Sequence, residues 1–190
     1  MSDTTPAGPS PTGPYIDHTR RWLERAVIGL NLCPFAKAVH VKDQIRYVVT
    51  EVETPTELME VLVAELQSLQ AADPAVVDTT LLIHPRVLTD FLDFNWFMEL
   101  ADEALEELGL SGVLQVAHFH PQFQFADTEV DDITNHTNRS PYPTLHLLRE
   151  DSVDRAVDAY PDAAVIYEKN ILTLRALGHV GWAALDVAAP

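Results

Sequence analysis

Cysteine and basic residues are what this 190-residue sequence has least of. Its single cysteine, Cys33, excludes any disulfide within the chain. The chain carries 12 Lys and Arg against 29 Asp and Glu, which gives a formal net charge of −17. A general nucleic-acid binder needs a basic face to neutralise phosphates, and anionic lipid attracts basic segments. The composition therefore disfavours both nucleic acid and membrane surfaces as partners.

Long apolar runs and a secretion signal are missing as well. No stretch approaches the roughly 18 apolar residues that a membrane span requires. The first 14 residues lack the basic start and apolar core of a signal peptide. With one cysteine and no such signal, we expect a cytoplasmic protein. Hydrophobic residues at 47% and charged residues at 22% are typical of a globular chain.

The apolar periodicity predicts a single α/β domain at residues 15–190, preceded by a proline-rich, disordered tail at residues 1–14. Strands are predicted at residues 45–51, 79–84, 113–120, 144–149 and 182–187. Helices are predicted at about 15–31, 55–69, 90–108, 152–160 and 162–177. Helical crossovers favour parallel neighbouring strands. We therefore expect a mixed, mostly parallel sheet of four or five strands with flanking helices, and residues 144–149 as an antiparallel edge strand.

Two of the predicted central strands end in a His-Pro dipeptide. His84-Pro85 follows the second strand and His120-Pro121 the third, and proline cannot continue a strand ladder. If these strands run parallel, both imidazoles lie at the carboxyl edge of the sheet, where open α/β folds bind ligands. His84 and His120 are therefore candidate catalytic acid and base. Together with His118, which shares a strand face with His120, they are candidate ligands of a divalent metal. The alternative is hydrogen-bonded core, which is favoured for His118 alone.

Residues 121–143 show no helical or strand period, and a loop of this length is usually functional, so we expect a folded-over lid. Between Arg86 and Arg139 the chain has no Lys or Arg. A guanidinium beside amide and hydroxyl groups can hold a carboxylate or phosphate. The predicted binding site for a small anion consists of Asn138, Arg139, Ser140 and Tyr142. The alternative for Arg139 is a salt bridge to Asp131 or Asp132. No glycine-rich phosphate loop is present, which disfavours a nucleotide site.

Cys33 is a third candidate catalytic residue. It precedes Pro34, which can open a short helix, and a thiol at a helix N-terminus has a lowered pKa. This pattern predicts a nucleophile or a redox group. The Cys-Pro-Phe-Cys motif of glutaredoxins is similar over four residues only. Here a helix precedes the motif and Ala36 replaces the second cysteine, so that fold is rejected. The alternative is a buried thiol packed between its neighbours.

Three segments together resemble one uncharacterised family. They are NLCPFA at 31–36, FHPQFQF at 119–125 and TNRSPYPTLHLLRE at 137–150. The chain resembles the bacterial and plastid family catalogued as domain of unknown function fourteen-fifteen, from about Tyr15 to Trp182. This resemblance implies one domain and an expendable N-terminal tail. It implies no activity, cofactor or catalytic residue.

Three functions follow from the sequence as hypotheses. The first is a small cytoplasmic enzyme with a histidine-centred site at the carboxyl edge of the sheet, acting on a small anionic substrate. The second is a thiol or redox enzyme that uses Cys33. The third is a non-enzymatic acidic module that binds a basic protein. The sequence leaves open whether a divalent metal is bound and what the oligomeric state is.

Overall fold

The computed structural model describes residues 12–159 and 165–189. The predicted tail at residues 1–14 therefore lies mostly outside the described residues. Gly13 and Pro14 already belong to the first helix, α1 (Gly13–Trp22), which continues as a π-helical segment at Leu23–Ile28. The helical stretch ends before Asn31, which adopts a positive φ of 55°.

Four strands and five further α-helices follow within the described residues, and they confirm a single α/β domain. The strands are β1 (Ile45–Val49), β2 (Thr79–Ile83), β3 (Leu114–Phe119) and β4 (Thr144–Arg149). The helices are α2 (Ala36–Val41), α3 (Pro55–Ala71), α4 (Phe91–Glu107), α5 (Glu150–Asp158) and α6 (Ile166–Ala184). A 3-10 helix at Ile133–Thr137 lies within the long loop. No helix in the described ranges is both long enough and apolar enough to cross a bilayer.

Local capping signals explain where two of the long helices begin. Thr54 and Glu57 form the predicted capping box at the start of α3, with Pro55 in the first turn. Asp90 caps α4 by accepting hydrogen bonds from the amides of Leu92 and Asp93. These short-range interactions determine the helix starts, and so they could be predicted from sequence.

The order of the strands differs from the prediction. The sheet is mixed, with the order β1-β2-β4-β3, in which β1 and β2 are parallel and β4 is antiparallel to both of its neighbours. The expectation that residues 144–149 form an edge strand is wrong, because β4 lies between β2 and β3. Leu145 and Leu147 are fully buried there, which is the environment of a central strand.

The predicted fifth strand at residues 182–187 is also wrong. Trp182 lies in the last turns of α6, and Leu185 and Val187 follow the helix end. These apolar residues pack on the cluster around Trp22 as helix and turn, so burial alone accounts for the pattern. The predicted start of this helix at residue 162 lies outside the described residues.

Two helical layers cover the sheet. On one face, leucines of α3 and phenylalanines of α4 pack on strand residues that include Leu82, Leu114 and Leu145. On the other face, α1, the π-helical segment and α2 pack against Ile45, Tyr47 and Phe119. The register assigns His118 to the first face and His146 to the second, because His118 pairs with Leu145 and His146 follows it on β4.

Candidate active site

His84 and His120 come together at the carboxyl ends of β2 and β3. Both imidazoles contact Phe94 of α4, with ring centroids 5.4 and 5.2 Å apart. The His84 amide donates to the carbonyl of Pro143 at 3.0 Å, and the His120 amide donates to the carbonyl of Asn138 at 3.2 Å. The segment that leads into β4 therefore lies between the two His-Pro strand ends.

Backbone groups occupy most of the nitrogens of these two rings. His120 accepts a hydrogen bond at Nδ1 from the amide of Gln122 and donates from Nε2 to the carbonyl of Leu88 at 3.2 Å. His84 donates from Nδ1 to the carbonyl of Val87 at 3.0 Å, and its buried Nε2 has no partner among the described residues. Burial lowers the pKa of His84 to about 4 and also lowers the pKa of His120. Both rings are thus neutral parts of the packed core at pH 7.

The predicted metal site gains no supporting geometry. His118 packs its ring against Phe94 and Phe123, with centroids 5.6 Å apart in each case, and burial lowers its pKa. Within residues 12–159 and 165–189, no group of three or more His, Cys, Asp or Glu side chains is arranged to hold a metal ion. The proposal that His84, His118 and His120 bind a divalent metal therefore stays a prediction.

Arg139 stabilises the long loop from within. Its Nε donates to the carbonyl of Phe123 at 3.0 Å, and its Nη2 donates to the carbonyl of Val130 at 2.6 Å. The described ion pairs of the chain do not include Arg139, and Asp132 instead accepts from the amide of Thr134. These N–H groups of the guanidinium therefore donate to backbone carbonyl oxygens. Neither the predicted anion site nor the alternative salt bridge to Asp131 or Asp132 includes these partners.

The other predicted anion ligands lie in different places. Ser140 donates from Oγ to the carbonyl of Tyr142 at 2.6 Å. The Tyr142 hydroxyl forms a hydrogen bond with His18 Nδ1 of α1 at 2.7 Å, and its ring contacts Tyr15. These contacts attach the loop end to α1. Of the four predicted residues, only Asn138 lines the cavity on the second face of the sheet.

A cavity of about 1120 Å³ lies on the second face of the sheet, where β1 to β4 meet α2 and α5. Its volume is slightly above the roughly 300–1,000 Å³ that is typical of sites that hold small organic molecules. Ala117 and Phe119 of β3 and His146 of β4 form part of its floor, and Cys33 lies in its wall. This site was missed from sequence, because His146 received no role while β4 was expected at the edge.

His146 is held in one tautomer by a side chain. The Thr79 hydroxyl donates to the carbonyl of Leu147 at 2.6 Å, so its oxygen accepts from His146 Nε2 at 2.8 Å. Nε2 therefore carries the proton, and Nδ1 carries the free lone pair. No described residue forms a hydrogen bond with Nδ1. Burial lowers the pKa of His146 to about 4, which leaves the ring neutral at pH 7.

Cys33 lines the same cavity as His146 and not the edge at His84 and His120. Burial raises the pKa of its thiol, and this outweighs the hydrogen bonds from the backbone of Phe35 and Ala36, which lower it. The net direction is opposite to the lowered pKa predicted from the sequence. Because α2 starts at Ala36 and has only six residues, the short helix adds little to stabilise a thiolate.

A comparison with protein families identifies the family to which the chain belongs. A family model described as "Protein of unknown function (DUF1415)" matches residues 14–184, and the chain belongs to that family. This confirms the resemblance seen in the NLCPFA, FHPQFQF and TNRSPYPTLHLLRE segments. No curated protein matches the chain, and no solved structure matches it.

Proposed function

We propose that this protein is a small-molecule enzyme that binds its substrate in the cavity on the second sheet face and uses His146 as the acid–base group. The observation that carries the proposal is the Thr79–His146 hydrogen bond in the floor of a ligand-sized cavity. A histidine oriented by a second side chain, with one nitrogen left unpaired, is the arrangement that general base catalysis requires.

The proposal keeps the histidine-centred enzyme that the sequence suggests but changes the histidine. At the edge, His120 has both nitrogens bonded to backbone, which leaves it no position for a substrate proton. His146 has Nδ1 available, and its pKa of about 4 leaves that nitrogen unprotonated over the neutral range. Nδ1 is the atom that takes up a proton, and the resulting imidazolium keeps donating to Thr79 from Nε2.

The experiment separates binding from chemistry with two variants. Ala117→Leu adds a branched side chain to the cavity floor, and Ala71→Leu, on the exposed end of α3, is the matched control. A panel of small organic acids, esters and amides is screened for ligands that raise the unfolding temperature of the wild-type protein. We expect Ala117→Leu to lose these shifts and Ala71→Leu to keep them.

Turnover of the ligands found in the screen tests the role of His146. His146→Gln retains an N–H donor for Thr79 but removes the Nδ1 lone pair, so we expect binding to persist and turnover to fall by about 100-fold or more. The exposed variant His179→Gln on α6 is the control. Unchanged ligand shifts in Ala117→Leu, or full turnover in His146→Gln, would overturn the proposal.

A second candidate, thiol chemistry at Cys33, is favoured by the placement of the thiol and His146 in one cavity. Because burial keeps the free thiol protonated at pH 7, this chemistry needs a base, and we assign that role to His146, whose Nδ1 is unpaired. The rate of iodoacetamide labelling as a function of pH tests it. If His146 assists, His146→Gln slows labelling severalfold near pH 7. Equal rates in the two proteins exclude this candidate.

A further inference from the structure

We infer that the ligand of this cavity is an amphipathic organic anion, with an apolar body and a single acidic group. The inference rests on the proposed function, since it names the substrate class of the same site. It comes from the chemistry of the lining, which combines apolar side chains with two basic residues in a strongly acidic chain.

The apolar part of the lining requires an apolar body. The side chains that form it include Trp22, Leu23, Val27, Phe35, Leu81 and Phe119. Apolar surface that a ligand removes from water contributes favourably to binding in proportion to its area. A ligand gains this energy chiefly over Phe35 and Phe119, which are partly exposed, since the other four side chains are already almost fully buried.

The charged part of the lining favours an anion. Lys42, at the end of α2, and Arg155, on α5, line the cavity together with the single carboxylate of Asp78. These three residues give the lining a net positive charge, whereas the whole chain carries −17. The acidic surface thus surrounds a small basic region, which suits a ligand with one charge better than a polyanion.

Neither basic side chain is neutralised by a carboxylate in the described residues. Some other basic residues have a carboxylate partner: Arg46 pairs with Glu65, and Arg86 pairs with Glu51. Lys42 forms no ion pair among the described residues. Arg155 donates from Nη2 to Ser152 Oγ, and Ser152 donates in turn to Asp78 Oδ1, so the guanidinium contacts the carboxylate only through a hydroxyl.

Both basic residues are exposed at the rim, and this determines what each part of the ligand contributes. Exposed ion pairs contribute only fractions of a kcal/mol, so affinity comes mainly from the apolar body. The two cations select the acid over neutral and cationic analogues with the same body. Their effect weakens with added salt, because exposed charges are screened.

Three C8 probes with one body and different head groups test the inference by titration calorimetry. They are octanoate, 1-octanol and octylammonium, each titrated into the wild-type protein at low and at 0.5 M salt. We expect octanoate to bind at least threefold more tightly than octanol at low salt, and octylammonium to bind most weakly. The preference for octanoate is expected to shrink at high salt.

Substitutions connect the preference to the two cations. Lys42→Gln and Arg155→Gln are each expected to weaken octanoate binding about threefold and to leave octanol binding unchanged. Lys37→Gln is the matched control, since Lys37 is exposed on the same helix but does not line the cavity. Ala117→Leu is expected to weaken all three probes.

The outcomes distinguish this inference from the proposed function. If octanol and octanoate bind equally and neither Gln variant changes octanoate affinity, the anion inference is wrong while the cavity remains a binding site. If Ala117→Leu binds all probes as the wild type does, binding occurs elsewhere, and the inference falls together with the proposed function.

Discussion

The carboxyl edge of the sheet and the cavity on its second face both contain histidine, but the rings differ in their hydrogen-bond partners and in their surroundings. At the edge, His120 bonds to a backbone amide and a backbone carbonyl, and His84 bonds to a carbonyl within a fully buried setting. In the cavity, His146 bonds to the hydroxyl of Thr79 and keeps Nδ1 unpaired. His84 also has an unpaired nitrogen, Nε2, but that atom is buried in the core, whereas His146 lies in the lining of the cavity.

This difference shows which feature distinguishes a candidate catalytic histidine from a structural one. Position at the end of a strand does not distinguish the two kinds of histidine. His84 and His120 both lie at the expected strand ends, and both pack against Phe94. The useful distinction is open volume beside an unpaired ring nitrogen, because His146 lines the cavity whereas the unpaired Nε2 of His84 is buried in the core. The following predictions test whether the edge is structural and whether the cavity histidine is held as described.

The largest expected effect is on the edge. Phe94 is fully buried and its ring contacts His84, His118 and His120. Phe94→Ala removes the ring that packs against all three imidazoles, so we expect the free energy of unfolding to fall by about 3–5 kcal/mol. Urea denaturation followed by circular dichroism measures this loss.

Phe91→Ala is the matched control for this substitution. Phe91 is only half-buried and contacts His120 and Phe123, so its loss is expected to cost about half as much. Equal losses in the two variants would show that the edge histidines do not depend on the ring of Phe94.

The next effect concerns pH. Burial lowers the pKa of His84 from its usual value to about 4, so the unfolded chain binds more protons than the folded one between pH 6.5 and 4. Stability is therefore fully present above about pH 6.5 and is lost as pH falls toward 4. A shift of this size corresponds to about 3 kcal/mol from this histidine.

His84→Asn tests that assignment, because the Asn amide can still donate to the carbonyl of Val87 while it does not titrate. We expect the variant to lose about 3 kcal/mol of the pH dependence between pH 7.5 and 4 and to be slightly less stable at pH 7.5. Unfolding curves in urea at four pH values measure it, with His179→Gln as the control. A slope identical to that of the wild type would mean that His84 is not the group responsible.

Local elements of this fold could be predicted from sequence, and their arrangement could not. The capping box at Thr54 and Glu57, the cap at Asp90 and the bounds of β4 all follow from signals within a few residues. The strand order depends on residues 121–143, which return the chain to the middle of the sheet and have no regular period. No local signal in that loop specifies that β4 separates β2 from β3.

The candidate active site, like the strand order, depends on contacts between residues that are far apart in the sequence. The sequence predicted that His84 and His120 meet at one edge, and it identified Cys33 and Asn138, which both line the cavity. It did not identify His146, because its face and its neighbour Thr79 follow from the pairing of β2 with β4. The volume of the cavity likewise depends on how α2 and α5 lie over the sheet.

The smallest expected effect concerns the hydroxyl that holds His146. Thr79→Val keeps the shape of the side chain but removes the acceptor for His146 Nε2 and the donor to the carbonyl of Leu147. We expect a loss of about 1–2 kcal/mol in the free energy of unfolding. We also expect the ring to populate both tautomers, which ¹⁵N chemical shifts of His146 measure directly.

Thr80→Val is the control in the next residue, because the buried hydroxyl of Thr80 has no partner among the described residues. Removing an unpaired hydroxyl leaves nothing else unsatisfied, so Thr80→Val should be neutral or stabilising. If both variants behave alike, the hydroxyl of Thr79 does not orient His146, and the contrast between the cavity histidine and the edge histidines loses its basis.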